Sequence, residues 1–403
     1  MRRFCTFALL ALVVSVVKSQ DVDTGTGFVD NGYYRVHNFA TQRYIYVTDN
    51  KDYYDMARDE EDFQAIQLWK NVEKTIYDPA SVIYIQQIGS TTSTTFDLMA
   101  QGTGVHSLTG YFVNVKKLPN STYEVSATKT VGSTSVTKYL YDGKSSSTAQ
   151  QGTLGTTGKD DTYRRWIVDK IDTNHAVNYF GIKPTIELNG VYYQPFFADF
   201  PFRTVSPGMH IYIITEVAGD IALLQEIEGD IPANTPVIIE CASTEPSDNR
   251  IELLLSTSST VSGNKLRGVY FCNGKRPKGS TDAYTKFDAA TMRVFTVTDG
   301  KLVLSNEDES RLNNIKINDY TTYTQIDALC LFANTSYLSV DVNAPNVIEL
   351  TSDPTGINNM TADKNISCEG IYSVSGTLLR PTNNTAGLPA GLYVVGGKKV
   401  AVK

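Results

Sequence analysis

A mainly β chain of several consecutive units is predicted by three observations. The composition favours strands: 24 tyrosines against 2 tryptophans, with frequent Thr, Ser and Val, side chains that suit a pleated, half-buried surface. Short alternating runs such as Val191-Tyr192-Tyr193 and Ile211-Tyr212-Ile213-Ile214 lie between Gly, Asn, Asp and Pro turns. Helix-period segments are scarce; only Tyr53–Phe63 and Glu307–Lys316 qualify, and both are short. At 403 residues the chain is long enough for two or three domains with cores.

The first element reads as an export leader. Arg2 and Arg3 precede an almost unbroken apolar run from Phe7 to Val17, and Val17 and Ser19 occupy the small-residue positions before a cleavage site. This is a signal peptide spanning residues 1–19, too short to cross a membrane as a mature helix. Cys5 precedes the apolar run, so it is badly placed to carry a lipid. No second long apolar stretch follows, so no transmembrane segment is expected in the mature chain.

Residues 28–172 carry a pattern that occurs three times. The first copy is Tyr34–Asn38, Arg43–Val47 and Gln67–Val72; the second is Ile83–Gln87, Phe96–Met99 and Tyr111–Val115; the third is Tyr123–Ala127, Lys138–Asp142 and Arg165–Asp169. Each is two strands, a variable loop and a last strand opening on a large aromatic. Recurrence at roughly 40 to 50 residues is a fold signal. Three such units closed on one another lose their sheet edges, a geometry that resembles the β-trefoil. Gln67-Leu68-Trp69 is similar to the Q-x-W element of ricin-type trefoil lectins. The third copy keeps only Trp166 of that triplet, and the second has Phe112 in its place.

That resemblance implies a shallow sugar pocket after the second strand of a repeat. Asp49, Asn50, Tyr53 and Tyr54 stand there in the first copy and are the candidate ligand-binding residues. A carboxylate and an amide can bond sugar hydroxyls, and an aromatic face can cover the apolar side of the ring. The alternative is a solvated loop with two tyrosines packed down as a lid. Asp97 and Asp142 sit at comparable points of the other copies, but the aromatics near them belong to strands.

Residues 173–352 are expected to form a β-sandwich-like region of short strands separated by Gly, Asn and Pro turns. One element repeats: Ile231-Pro232-Ala233-Asn234-Thr235-Pro236-Val237 is echoed by Leu331-Phe332-Ala333-Asn334-Thr335-Ser336-Tyr337, and again by Leu388-Pro389-Ala390-Gly391-Leu392-Tyr393-Val394. Asn or Gly tolerates positive φ, so each echo reads as a tight turn feeding a strand. Elements of this kind resemble those of Bacteroidota surface proteins. Beyond the leader the cysteines are Cys241, Cys272, Cys330 and Cys368. In an exported protein they permit two disulfides; the alternative is four small buried apolar side chains. None has C-x-x-C spacing or a nearby histidine, which argues against a zinc site.

The end of the chain runs Gly370-Ile371-Tyr372-Ser373-Val374-Ser375-Gly376, a polar spacer, Leu388–Val395 and the basic Lys398-Lys399-Val400-Ala401-Val402-Lys403. Residues 366–403 resemble the C-terminal sorting domain of type IX secreted Bacteroidota proteins. The resemblance implies a secreted or cell-surface location and says nothing of activity.

No catalytic chemistry is legible. His37, His106, His175 and His210 share no motif. G-x-S-x-G, H-E-x-x-H and a Gly-rich phosphate loop are all missing from the sequence. Glu307-Asp308-Glu309 lacks the alternating spacing that encircles calcium and reads as a solvated turn. A net charge of −7 with scattered charges excludes a nucleic-acid footprint. The expectation is a non-enzymatic, exported binding or adhesion protein that touches a glycan or a host or surface protein and needs no cofactor. A structural surface or assembly component is the alternative, and a secreted hydrolase or protease inhibitor a third.

Overall fold

In the computed structural model the described residues are 31–46, 67–69, 72–101, 113–131, 133–142, 150–155, 161–269, 285–319, 324–352, 370–373, 378–395 and 398–402. The expected leader therefore lies outside them. The protein is mainly β, and among the described residues the one α-helix is a single turn, Val72–Thr75. No helix there is long and apolar enough to cross a membrane.

The strands read from the threefold pattern are present. They are β1 (Gly32–Asn38), β2 (Tyr44–Tyr46), β3 (Gln67–Trp69), β4 (Ile83–Gln87), β5 (Thr95–Ala100), β6 (Val113–Leu118), β7 (Thr122–Val131), β8 (Thr134–Asp142) and β10 (Trp166–Lys170), with β9 (Gln150–Gly155) added before the last. All pair antiparallel, and the pairings close. β1 bonds β4 and β10, β10 bonds β7, and the path β4-β5-β6-β7 completes a ring. A second circuit, β1-β2-β3-β9-β8-β7, shares β1, β7 and β10. Closure leaves fewer unpaired edges than an open sheet of the same strands.

The period of two explains what each strand buries. Along β6, Val113 and Val115 are buried while Asn114 and Lys116 face solvent. β1 is buried along its whole length because both of its faces are covered. Trp166 opens β10 fully buried, its indole N–H donating to the Leu140 carbonyl at 3.1 Å.

The expected strand at Gln67–Val72 stops at Trp69, and the chain turns through the short helix into a 3₁₀ turn at Pro79–Ser81. Asp78 caps that turn by accepting the Ala80 N–H. The helix expected over Glu307–Lys316 is not formed. Asp308 caps a 3₁₀ turn at Glu309–Arg311, and Asn313–Asp319 forms β22, hairpinned to β23 (Thr324–Cys330). The alternation of Ile315, Lys316 and Ile317 has a strand period, which outweighed the local helix signal. The other expected helix, Tyr53–Phe63, lies outside the described residues.

The middle region is a ten-stranded sheet ordered β12-β13-β17-β15-β16-β25-β21-β20-β24-β19. These strands are β12 (Ile186–Leu188), β13 (Val191–Phe196), β15 (His210–Ala218), β16 (Ile221–Ile227), β17 (Val237–Cys241), β19 (Leu266–Gly268), β20 (Met292–Thr298), β21 (Lys301–Ser305), β24 (Ser336–Ser339) and β25 (Val347–Thr351). Outward from β25 the two halves run in matching order, and in each the third strand, β17 or β24, follows one of the sequence echoes. Asn234 and Asn334 take left-handed φ values of 61° and 56°, as the echoes predict. The third echo departs from this: Gly391, at the matching position, opens the strand Gly391–Val395 without a left-handed φ, and the left-handed residue is Gly387, just before the echo, at φ 73°.

A small sheet of β11 (Phe180–Gly181), β14 (Phe202–Thr204) and β18 (Arg250–Leu253) packs across the first half. β17 is therefore covered on both faces: Val237, Ile239 and Cys241 join one core while Ile238 joins the other. That is why Val-Ile-Ile appears as a continuous apolar run. The first of these cores crosses the expected boundary at residue 173. Tyr33, Val82, Tyr84 and Met99 of the closed ring share it with Phe180, Phe200 and Phe202. The strands Ile371–Ser373, Leu378–Arg380, Gly391–Val395 and Lys398–Val402 form a separate four-stranded antiparallel sheet.

Candidate functional site

A cleft of about 630 Å³ opens where the closed ring meets the middle sheet, within the size range of small-ligand sites. Tyr46, Lys74, Tyr77 and Asp78 form one wall; Lys183, Gln194, Phe196, Asn313, Phe332 and Asn334 contribute to the other. Its lining mixes aromatic faces with amides and charged groups.

The wall residues are held by backbone contacts. The Gly181 N–H donates to the Ile76 carbonyl at 3.0 Å, which stitches the segment carrying Lys183 to the one carrying Tyr77. Gly181 is the residue required there, because a Cβ would lie 2.1 Å from the Pro246 carbonyl oxygen. Ile182 is strapped from both sides: its N–H donates to Asn249 O, and the Asn249 amide donates to Ile182 O. The Lys183 ammonium consequently rests 4.9 Å from the Tyr77 ring centroid, a cation–π contact. The opposite wall is fixed by Asn334, whose amide exchanges two hydrogen bonds, 2.8 and 3.1 Å, with the buried Gln101. The Asn334 amide also donates to Phe197 O. Gln194 donates its amide N–H to Pro195 O, and its buried amide oxygen has no donor. Phe332 remains 45 % exposed in this wall.

Further along the seam, Arg35 is fully buried without a direct carboxylate contact. It donates to Thr75 O at 2.8 Å and to the Asn178 side-chain oxygen at 2.6 Å. Burial pulls its pKa down to about 10, against the fields of Tyr44, Tyr179 and Asp169. Arg35 is a structural tie between β1 and the chain leaving the ring.

Asp49, Asn50, Tyr53 and Tyr54 lie outside the described residues. Tyr46, three positions before Asp49, lines the cleft. At the comparable place in the third copy Asp142 is buried and engaged by Arg43 as a bidentate ion pair, so it holds the ring together. His37 is buried against Tyr44, with Asp169 at 4.0 Å; burial lowers its pKa while Asp169 opposes the shift. His210 is exposed and pairs with Glu226, which raises its pKa through that hydrogen bond.

The cysteines correct one expectation. Cys241 is a buried free thiol and so takes part in no disulfide, which rules out a framework of two bridges among the four cysteines; Cys330 is buried too. Cys241 fills a small apolar place in the core it shares with Val237 and Ile239, and burial pushes its pKa up to about 12, leaving the thiol inert. Cys272 and Cys368 lie outside the described residues. Among the described residues no His, Cys, Asp and Glu cluster could hold a metal.

The sequence reading missed Tyr77, Lys183, Gln194 and Phe332. Phe332 alone left a signal: it replaces Pro232 when the two echoes are aligned, a large aromatic placed beside a tight turn.

No family model matches the chain, and no curated protein does. Among solved structures, a mosquitocidal holotoxin overlaps 79 % of this chain and 35 % of its own at 9 % identity, with a TM-score of 0.25. Cry35Ab1 overlaps 44 % of this chain and 47 % of its own at 13 % identity, with a TM-score of 0.20. This chain thus spans under half of either. At such scores the overlays say nothing about its fold or activity.

Proposed function

We propose that this protein is an exported, non-catalytic binding protein of the bacterial surface or medium, and that its ligand is a carbohydrate. One observation carries the reading: the seam cleft sets the exposed Phe332 ring and the half-buried Tyr46 and Tyr77 beside the side chains of Gln194, Asn313 and Lys183. Sugars present that complement, an apolar C–H face with hydroxyl donors around its rim. Asp49, Asn50, Tyr53 and Tyr54 follow Tyr46 in the sequence and remain the proposed second contact. The ring that carries them is read as trefoil-like. One shallow site of this type binds at about the millimolar level, near −4 kcal/mol, and many copies on a surface would add avidity.

The test is a glycan array with the mature chain from residue 20. An isolated fragment ending near 175 is the wrong reagent, because Tyr33, Tyr84 and Met99 would lose the core they share with Phe180 and Phe200. Phe332→Ala and the pair Asp49→Ala/Tyr53→Ala should each weaken any hit while leaving Tm nearly unchanged. An array with no hit removes the carbohydrate reading. Location is tested separately by deleting 366–403 and fractionating cells; undiminished surface delivery means that the tail is only a structural sheet.

A further inference from the structure

We propose that the cleft selects an anionic sugar, one bearing a carboxylate or sulfate, and that Lys183 is the residue that determines this. The inference rests on the carbohydrate reading and narrows it. Among the described residues, the fully charged groups lining the cleft are Lys74, Lys183 and Asp78. Lys74 and Asp78 are of opposite sign and each has further partners, which leaves Lys183 as the charge that this wall presents. Asp78 already accepts the Ala80 N–H at 3.0 Å and caps its own turn. Lys183 is exposed, and its one side-chain partner is the face of Tyr77.

The geometry explains why this cation is a recognition group. Stitched backbone on both sides, at Gly181–Ile76 and Ile182–Asn249, limits where the Lys183 stem can start. Stacking on Tyr77 then presents an ammonium whose donors are unspent, next to an aromatic surface. A sugar lying over that surface would bring a ring substituent to the ammonium. A neutral hydroxyl there gains an ordinary hydrogen bond. A carboxylate or sulfate oxygen gains a charge-assisted one, roughly twice as strong. The buried floor of Ile182, Phe196 and Ala80 reduces solvent screening relative to an open surface. Lys183 is exposed, so the expected discrimination is modest, about two- to fivefold in affinity.

The experiment titrates the mature chain with β-1,4-linked glucose tetramers and with glucuronic acid tetramers of the same linkage, at low and high salt. A sulfated glucose tetramer forms the third arm. The expected result is tighter binding of at least one anionic tetramer by that factor, shrinking as salt rises. Lys183→Gln should bring the anionic tetramers to the neutral level, and Lys183→Arg should keep the preference, with the Tm of both variants unchanged. Which anionic arm binds assigns the preference to carboxylate or to sulfate. Equal binding of neutral and anionic tetramers overturns the inference and leaves the carbohydrate reading standing. Binding of none overturns both. A preference that survives Lys183→Gln overturns the role of Lys183.

Discussion

Gly268→Ala should be among the most damaging one-methyl changes in this protein. Gly268 ends β19 opposite Ser336 of β24. A Cβ on it would stand 2.0, 2.2 and 2.4 Å from Cδ2, Cε2 and Cγ of Phe197, inside the distance that any carbon pair tolerates. The Phe197 backbone cannot retreat easily: its N–H donates to Asn334 O at 3.0 Å and its carbonyl accepts from the Asn334 amide at 3.0 Å. The ring itself must leave a site where the residue is 3 % exposed. Its loss of burial is comparable to deleting a core phenylalanine, about 3–5 kcal/mol. The double variant Gly268→Ala/Phe197→Ala discriminates this cause from a general weakening of β19. Phe197→Ala alone costs about 3–5 kcal/mol, and in its presence the added methyl enters vacated space. The double variant should cost no more than Phe197→Ala, a coupling of about 3 kcal/mol between touching residues. A chain of several units need not unfold in one step, so the readout is hydrogen exchange at the β19 and β24 amides, which reports local opening. A loss under about 1 kcal/mol, or additive costs in the cycle, would refute the steric argument.

Three further outcomes follow from buried polar groups. Asp142→Ala should cost about 3–5 kcal/mol by stranding the Arg43 guanidinium, whereas Arg43→Met/Asp142→Leu should come close to wild type in chemical denaturation; equal losses in the two variants would contradict this. His37 is held neutral by burial, its folded pKa lying below the ordinary value. Its contribution is complete above about pH 6.5 and is lost as the pH falls from there toward the folded pKa. Thermal melts from pH 7.5 to 5 should fall more steeply for wild type than for His37→Phe, with parallel curves as the adverse result. His210, shifted upward by Glu226, works in the opposite direction but is exposed and contributes weakly. Gln101→Ala should cost about 1–3 kcal/mol by leaving the Asn334 amide short of partners in a buried place. It should also speed proteolysis near residue 101, and an unchanged cleavage rate would mean that the seam does not depend on the amide pair.

Much of the β-architecture was legible because strand signals are local. Alternation placed β4, β13 and β15 to within a few residues, and the echoes placed two left-handed asparagines ahead of β17 and β24. The misses came where two periods competed, as at Asn313–Asp319, or where a strand such as β14 was too short to show a pattern. The cleft was almost illegible. Its walls come from residues 46, 74–80, 182–196, 313 and 332–334, and no spacing rule links a lysine that follows β11 to a tyrosine that follows a one-turn helix.

The sequence by itself determined the mainly β class and the turns at Asn234 and Asn334, because those follow from side-chain period and backbone tolerance within a few residues. Tertiary structure alone decided that the ring and the middle sheet share one core, that Cys241 is an inert thiol, and that Asp142 is spent on Arg43. It also placed Lys183 over Tyr77. Each of these depends on distances between residues about a hundred positions apart, and such distances are set by how closed and open sheets pack against each other, which no local pattern encodes.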